Sequence, residues 1–192
     1  MDLQPVTLEG RYVRLVPMRM AHHAALSAIG LDPSLWEYTT IRVQTPDQMR
    51  GYMEAALRAQ AAGTALPFVI ELVATGAVVG STRYHAIVRE HRRLEIGFTW
   101  IAAPWQRTAV NSESKFLLLR HAFETLGCQR VEFKAAAENA VSRRALLRLG
   151  ATEEGLARHF MLSAHKGPCD VRIFSILAAE WPAIKARLAS AP

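Results

Sequence analysis

Apolar and polar positions along the chain follow two periods, and each switch marks an element. Thr7 to Pro17 alternates polar and apolar residues around a Gly-containing turn, as a half-buried strand does. Met20 to Ile29 reads as a short helix. A second helix runs from Pro46 to about Ala62, with Thr45 as N-cap, Pro46 at the first helical position and Gly63 at the end. The period then shortens. Leu66–Val73 and Ala77–His85 are β-rich runs joined across Ala74-Thr75-Gly76, a hairpin signal, and Leu94–Ile101 follows the basic loop Arg89-Glu90-His91-Arg92-Arg93. These three runs predict an antiparallel meander ending near Ile101.

From Ser112 to Leu126 the helical period returns in Phe116, Leu119, Phe123 and Leu126, and Gly127 stops it. A strand, Arg130–Ala135, comes next. Asn139 offers an N-cap for a helix carrying Val141, Ala145, Leu146 and Leu149 before Gly150. This β-α-β order predicts that the strands ending at Ile101 and Ala135 are parallel neighbours. Glu154–Ser163 and Asp170–Ile176 read as strands around a turn at His165-Lys166-Gly167-Pro168, and a last helix spans about Ala179 to Leu188. With no repeat or linker, the pattern predicts one α+β domain over 1–192, its sheet mixed but mostly antiparallel, with about seven strands flanked by helices.

Composition narrows the function classes. With 192 residues, 51% of them hydrophobic, the chain can bury a full core. No apolar run reaches the roughly 18 residues of a membrane span, and the start MDLQPVTLEGRYVR lacks a basic segment followed by an apolar one, so a soluble, unexported, cytoplasmic protein is expected. Cys128 and Cys169 stand far apart without metal-ligand spacing, as free thiols do, and no metal is expected. A net charge of +6 favours an acidic partner, whether nucleic acid, phosphorylated cofactor or acidic peptide. Recognition-helix and RNA-stacking motifs are absent from the sequence.

The stretch WQRTAVNSESK joins a strand to the crossover helix, the place where unpaired backbone N–H groups and the helix dipole converge on an anion. Glycine usually serves there by letting the backbone approach a phosphate. Here Ala109 is the next smallest choice, Asn111 tolerates left-handed geometry and caps well, and Arg107 adds a guanidinium. A plain capped connection and a phosphate cradle both fit these residues.

The segments LEGRYVRLVPM, LEIGFTWI, NSESKFLLLRHAFETLGCQRVEF, ENAVSRRALLRLGATEEG and DVRIFSI follow one another in that order. Together they resemble the GNAT superfamily of N-acetyltransferases, and within it the RimJ/RimL-type branch that includes ribosomal-protein N-terminal acetyltransferases. The resemblance implies a GNAT-like acyl-CoA N-acyltransferase fold with splayed parallel central strands, and acetyl-coenzyme A held in the opening between them. Main-chain groups of Thr99, Trp100 and Ile101 would then take the pantetheine arm, and N–H groups from Gln106, Arg107, Thr108, Ala109, Val110, Asn111 and Ser112 the pyrophosphate. Aligned on Gln106, Ala109 and Asn111 stand where related enzymes carry glycines. Asn139 would contact the pantetheine side and Ser142 protonate the leaving thiolate, although an N-cap and a first-turn serine are equally what a plain helix start requires. The implied partners are acetyl-coenzyme A and an amine acceptor, either a small molecule or a protein N-terminus such as a ribosomal protein's; a homodimer is a further expectation.

For the general base, Glu95 leads because its strand end meets the coenzyme, and His159 follows because imidazole titrates near neutral pH. His22, His23, His85 and His121 read as surface or packing residues. Trp36, Tyr38, Trp100 and Trp105 fit either an acceptor groove or the core, and Arg143 and Arg144 either coenzyme phosphates or solvent. An acceptor other than a peptide, or a non-catalytic acyl-CoA-binding module, are the competing expectations.

Overall fold

The computed structural model describes residues 1–189. Its frame is an eight-stranded sheet in the spatial order β1 (Leu8–Glu9), β2 (Val13–Pro17), β3 (Leu66–Leu72), β4 (Val78–Val88), β5 (Arg93–Ile101), β6 (Arg130–Ala136), β8 (Gly167–Leu177), β7 (Thr152–Ser163). Neighbours are antiparallel except β5 and β6, which run parallel as the β-α-β order requires. The sheet has one strand more than the pattern suggested because the N-terminal run folds back on itself. The Gly10 N–H donates to the Val13 carbonyl at 2.9 Å, and the Glu113 carboxylate closes the turn by accepting from the N–H groups of Arg11, Tyr12 and Val13, each at 2.7 Å. A Cβ on Gly10 would strike that carboxylate.

Helices cover both faces, each burying one apolar stripe. On one face α1 (His23–Gly30) and α2 (Pro46–Ala61) enclose Met49, Met53, Val69, Trp36 and Trp100. On the other, α3 (Ala109–Arg120), α4 (Ala140–Leu149) and α5 (Trp181–Ala189) close over Leu15, Phe68, Tyr84, Leu94, Phe133 and Phe174. Trp36 and Trp100 are therefore core residues and no part of an open groove; their rings lie 5.6 Å apart, and Trp36 Nε1 donates to the Gly30 carbonyl at 2.8 Å. Among the described residues no helix is long and apolar enough to cross a membrane.

Caps fall largely where the sequence places them. Thr45 Oγ1 accepts from Gln48 N–H at 3.2 Å, Asn139 Oδ1 accepts from Ser142 N–H at 2.9 Å, and Gly150 ends α4 at φ 100°. α3 departs from expectation. It starts at Ala109 and not at Ser112, because its N-cap is Thr108 and not Asn111: Thr108 Oγ1 accepts from Val110 N–H at 3.3 Å and donates to the Trp105 carbonyl at 2.7 Å. Past Arg120 the coil widens into a π turn, His121–Thr125, before Gly127.

Candidate active site

β5 and β6 pair only where Arg93–Glu95 meets Arg130–Glu132, although β5 continues to Ile101 and β6 to Ala136. The divergence has a local cause on β5. Its register against β4 jumps between the pairs Ser81/Trp100 and Arg83/Gly97, so Phe98 and Thr99 together oppose Thr82, and Phe98 takes φ 50°. Such a bulge bends its strand. Beyond Glu95 the edge of β5 facing β6 pairs with no strand among the described residues, which is the geometry in which an extended ligand arm adds as a strand. Thr99, Trp100 and Ile101 lie on this stretch. The Thr99 side chain is committed elsewhere, to Thr82 Oγ1 at 2.8 Å and Lys115 Nζ at 2.7 Å, and the Ile101 carbonyl accepts from Gln106 Nε2 at 2.9 Å.

α3 brings its N-terminus to the end of β5 through Gln106, Arg107 and Thr108. The N–H groups that helix geometry leaves open there are those of Thr108 to Asn111, with that of Val110 turned to the Thr108 hydroxyl. Ser112 falls one residue past them, where its N–H points into the helix. The left-handed residue of the loop is Arg107, at φ 60°; Ala109 and Asn111 lie inside α3. The loop thus needs glycine at neither position aligned with the family's, and the strain it carries sits one residue before the cap.

The bulge also decides which side chains share the face covered by α2. The left-handed step turns the Phe98 ring onto the face of His85, its cross-strand neighbour in space: the rings meet edge-on at 4.9 Å, and the Arg83 guanidinium lies over Phe98 at 4.0 Å. Glu95, 4% exposed, places Oε2 2.6 Å from Lys134 Nζ on β6 and Oε1 3.4 Å from His85 Nε2. Among the described residues His85 Nε2 has no aligned hydrogen-bond partner, so its approach to Glu95 is a close contact and not a directed bond. Burial raises a carboxyl pKa, but His85 and Lys134 outweigh it and hold Glu95 below its ordinary range. Gly97 leaves room for this arrangement, since a Cβ there would stand 2.3 Å from His85 Nε2.

The other site residues named from the sequence are distributed unevenly around this cluster. Ser142 is half-buried in the first turn of α4, capped by Asn139. Arg143 is tied inward, to the Ala137 carbonyl at 3.2 Å and to Glu153 at 3.8 Å, whereas Arg144 is exposed. His159 is exposed on β7 at φ 49°, its N–H bonded to Asp170 Oδ1, and it is the adjacent Phe160 whose ring approaches Lys134 Nζ, at 5.0 Å. Sequence reasoning missed His85. The signal was its register: His85 is the direct cross-strand partner of Glu95, a relation fixed once the bulge is known. A cavity of about 460 Å³ opens beside this cluster, lined by His85, Arg83, Phe98, Ala59, Ala65 and Ile87 among others.

The family model that matches residues 13–152 describes an acetyltransferase (GNAT) domain. A GCN5-related N-acetyltransferase from Brucella melitensis superimposes with a TM-score of 0.90 at 28% identity, over 99% of this chain and 87% of that one. RimJ of Mycobacterium smegmatis, solved in complex with CoA-disulfide, gives 0.82 at 26% identity over 93% and 88%. YdaF of Bacillus subtilis (strain 168), by its name a candidate ribosomal N-acetyltransferase, is 32% identical over 112 residues, 57% of this chain and 59% of YdaF. The bulged β5, its parting from β6 and the open N-terminus of α3 agree with these matches, and the chain belongs to the GNAT family of acyl-coenzyme A-dependent acetyltransferases.

Proposed function

We propose that the chain transfers an acetyl group from acetyl-coenzyme A to a primary amine in the cytoplasm, and that its acceptor is the α-amine of a protein N-terminus. The state of Glu95 carries this proposal. A carboxylate held below its ordinary range by contacts with His85 and Lys134 is a weak base. Deprotonating an unperturbed α-amine at pH 7 costs about 1–1.4 kcal/mol, against about 4.6 for a lysine. A weak base therefore suits the first acceptor and fails the second. The name of YdaF, a candidate ribosomal N-acetyltransferase, supports ribosomal proteins as acceptors.

Roles follow from position. The free edge of β5 at Thr99, Trp100 and Ile101 receives the pantetheine arm, and N–H groups there support the oxyanion that develops on the acetyl carbonyl. N–H groups at the start of α3, with Arg107, hold the pyrophosphate. Glu95 takes the amine proton and His85, which lines the cavity, passes it on; the Ser142 hydroxyl protonates the departing thiolate. The test is thiol release from acetyl-coenzyme A with a lysine-free peptide, comparing Glu95→Gln with the unaltered chain, while calorimetry with desulfo-coenzyme A confirms that the variant keeps its coenzyme site. Turnover should fall about 100-fold with unchanged coenzyme affinity. No thiol release from the unaltered chain with any peptide, or full activity in the variant, overturns the proposal.

A further inference from the structure

Arg83 is a buried charge that the acyl-transfer roles leave unused. It is 6% exposed, and among the described residues its Nε and Nη2 have no hydrogen-bond partner. Among the described residues no carboxylate lies within ion-pairing distance of it; its neighbours are the Phe98 ring at 4.0 Å and the Tyr52 ring at 5.0 Å. Ring faces replace only part of the water that a buried cation gives up, and buried arginines are ordinarily paired. Nε and Nη2 form the edge of the guanidinium that grips a carboxylate through two parallel bonds.

The surroundings point to what would complete it. Arg83, Arg93 and His85 line the same cavity. The carboxylates nearby are already committed, Glu95 to Lys134 and His85, and Glu132 to Arg93 and Arg130. The cavity is thus left with positive charge and no anion of its own. We infer that Arg83 receives a carboxylate of the acceptor, so that the chain selects N-termini whose second residue is acidic. This rests on the N-terminal acceptor proposed above. The spacing agrees: Arg83 and His85 are two residues apart on one face of β4, about 6.7 Å, and His85 stands opposite Glu95. An extended peptide advances about 3.3–3.6 Å per residue, so a side chain on its second residue spans the gap from an amine at Glu95 to the guanidinium.

The experiment uses two lysine-free peptides that differ only in a second residue of Glu or Gln. For the unaltered chain, kcat/KM should favour the Glu peptide at least about tenfold, since a site built for an ion pair rejects the neutral isostere. In Arg83→Met the ratio should collapse to within about threefold of one, a ratio being insensitive to any general loss of active protein. The unaltered chain's preference stands without the variant should Arg83→Met fail to fold. A second arm measures calorimetric binding of the N-acetylated forms of both peptides, which requires no turnover; the acidic one should bind about tenfold more tightly. Equal kcat/KM or equal binding of the two peptides by the unaltered chain overturns the inference and leaves acyl transfer standing. Absence of thiol release with both peptides overturns acyl transfer, and the acetylated pair still reads the subsite.

Discussion

Lys134 Nζ on β6 lies 2.6 Å from Glu95 Oε2 on β5, an ion pair spanning the point where the two parallel strands part. It ties together the strands that must diverge to admit the coenzyme, and it sets the charge state of the proposed base. Lys134→Met should therefore act on stability and on catalysis together. Glu95 has a depressed pKa in the fold, so its contribution to stability is present above the ordinary value of 4.5 and is lost as pH falls through the folded value. The variant should lose on the order of 2 kcal/mol at pH 7, with the gap to the unaltered chain narrowing below pH 4.5 in urea titrations. The acid limb of its kcat/KM profile should move to higher pH. An unmoved limb would mean that Glu95 does not titrate in the reaction.

The pKa of Lys115 is also lowered, but here the charged form is the destabilising one. The lysine is buried in α3 with Nζ donating to Thr99 Oγ1 at 2.7 Å, and burial pushes its pKa down to about 7 from 10.5. The unfolded chain therefore binds the proton more tightly, and the lysine's destabilising effect is full below pH 7, fades as pH rises and vanishes above 10.5. Lys115→Met should stabilise the protein, and the gain should be larger at pH 7 than at pH 9 by about 2 kcal/mol. A gain that does not change with pH would show that the ammonium is not desolvated.

Arg107 carries the left-handed strain of the phosphate loop at φ 60°. Arg107→Gly removes a steric cost of about 1–2 kcal/mol while adding backbone entropy to the unfolded chain, for a net gain of up to about 1 kcal/mol. It also removes a cation from the start of α3. Thermal unfolding should therefore shift up while KM for acetyl-coenzyme A rises severalfold and kcat holds. A lower melting temperature would place the strain elsewhere, and an unchanged KM would take Arg107 out of the phosphate site.

The meander, the parallel pair and the caps at Thr45, Asn139 and Gly150 were legible because each depends on residues close in sequence or on period alone, whereas the place of β8 between β6 and β7 was not. The start of α3 was not. Thr108, Asn111 and Ser112 are all good caps, and only the bond from Thr108 to the Trp105 carbonyl separates them. Phe98 gave no warning either, since a bulky residue is a poor candidate for positive φ, and the bulge it forms is what brings its ring to the face that Arg83 and His85 already share. Glu95 could be named from its strand, but its partners Lys134 and His85 come from two other strands and depend on register.

Acetylation of a protein N-terminus with Glu95 as a weak anionic base is decided by thiol release from acetyl-coenzyme A at pH 7 with two peptides of one sequence. The first has a free α-amine and no lysine; the second has a blocked N-terminus and a single lysine. Rapid release with the first and at least about 100-fold slower release with the second is the predicted result, in line with a difference of more than 3 kcal/mol in exposing the neutral amine. Equal rates, or faster release with the lysine peptide, would contradict it.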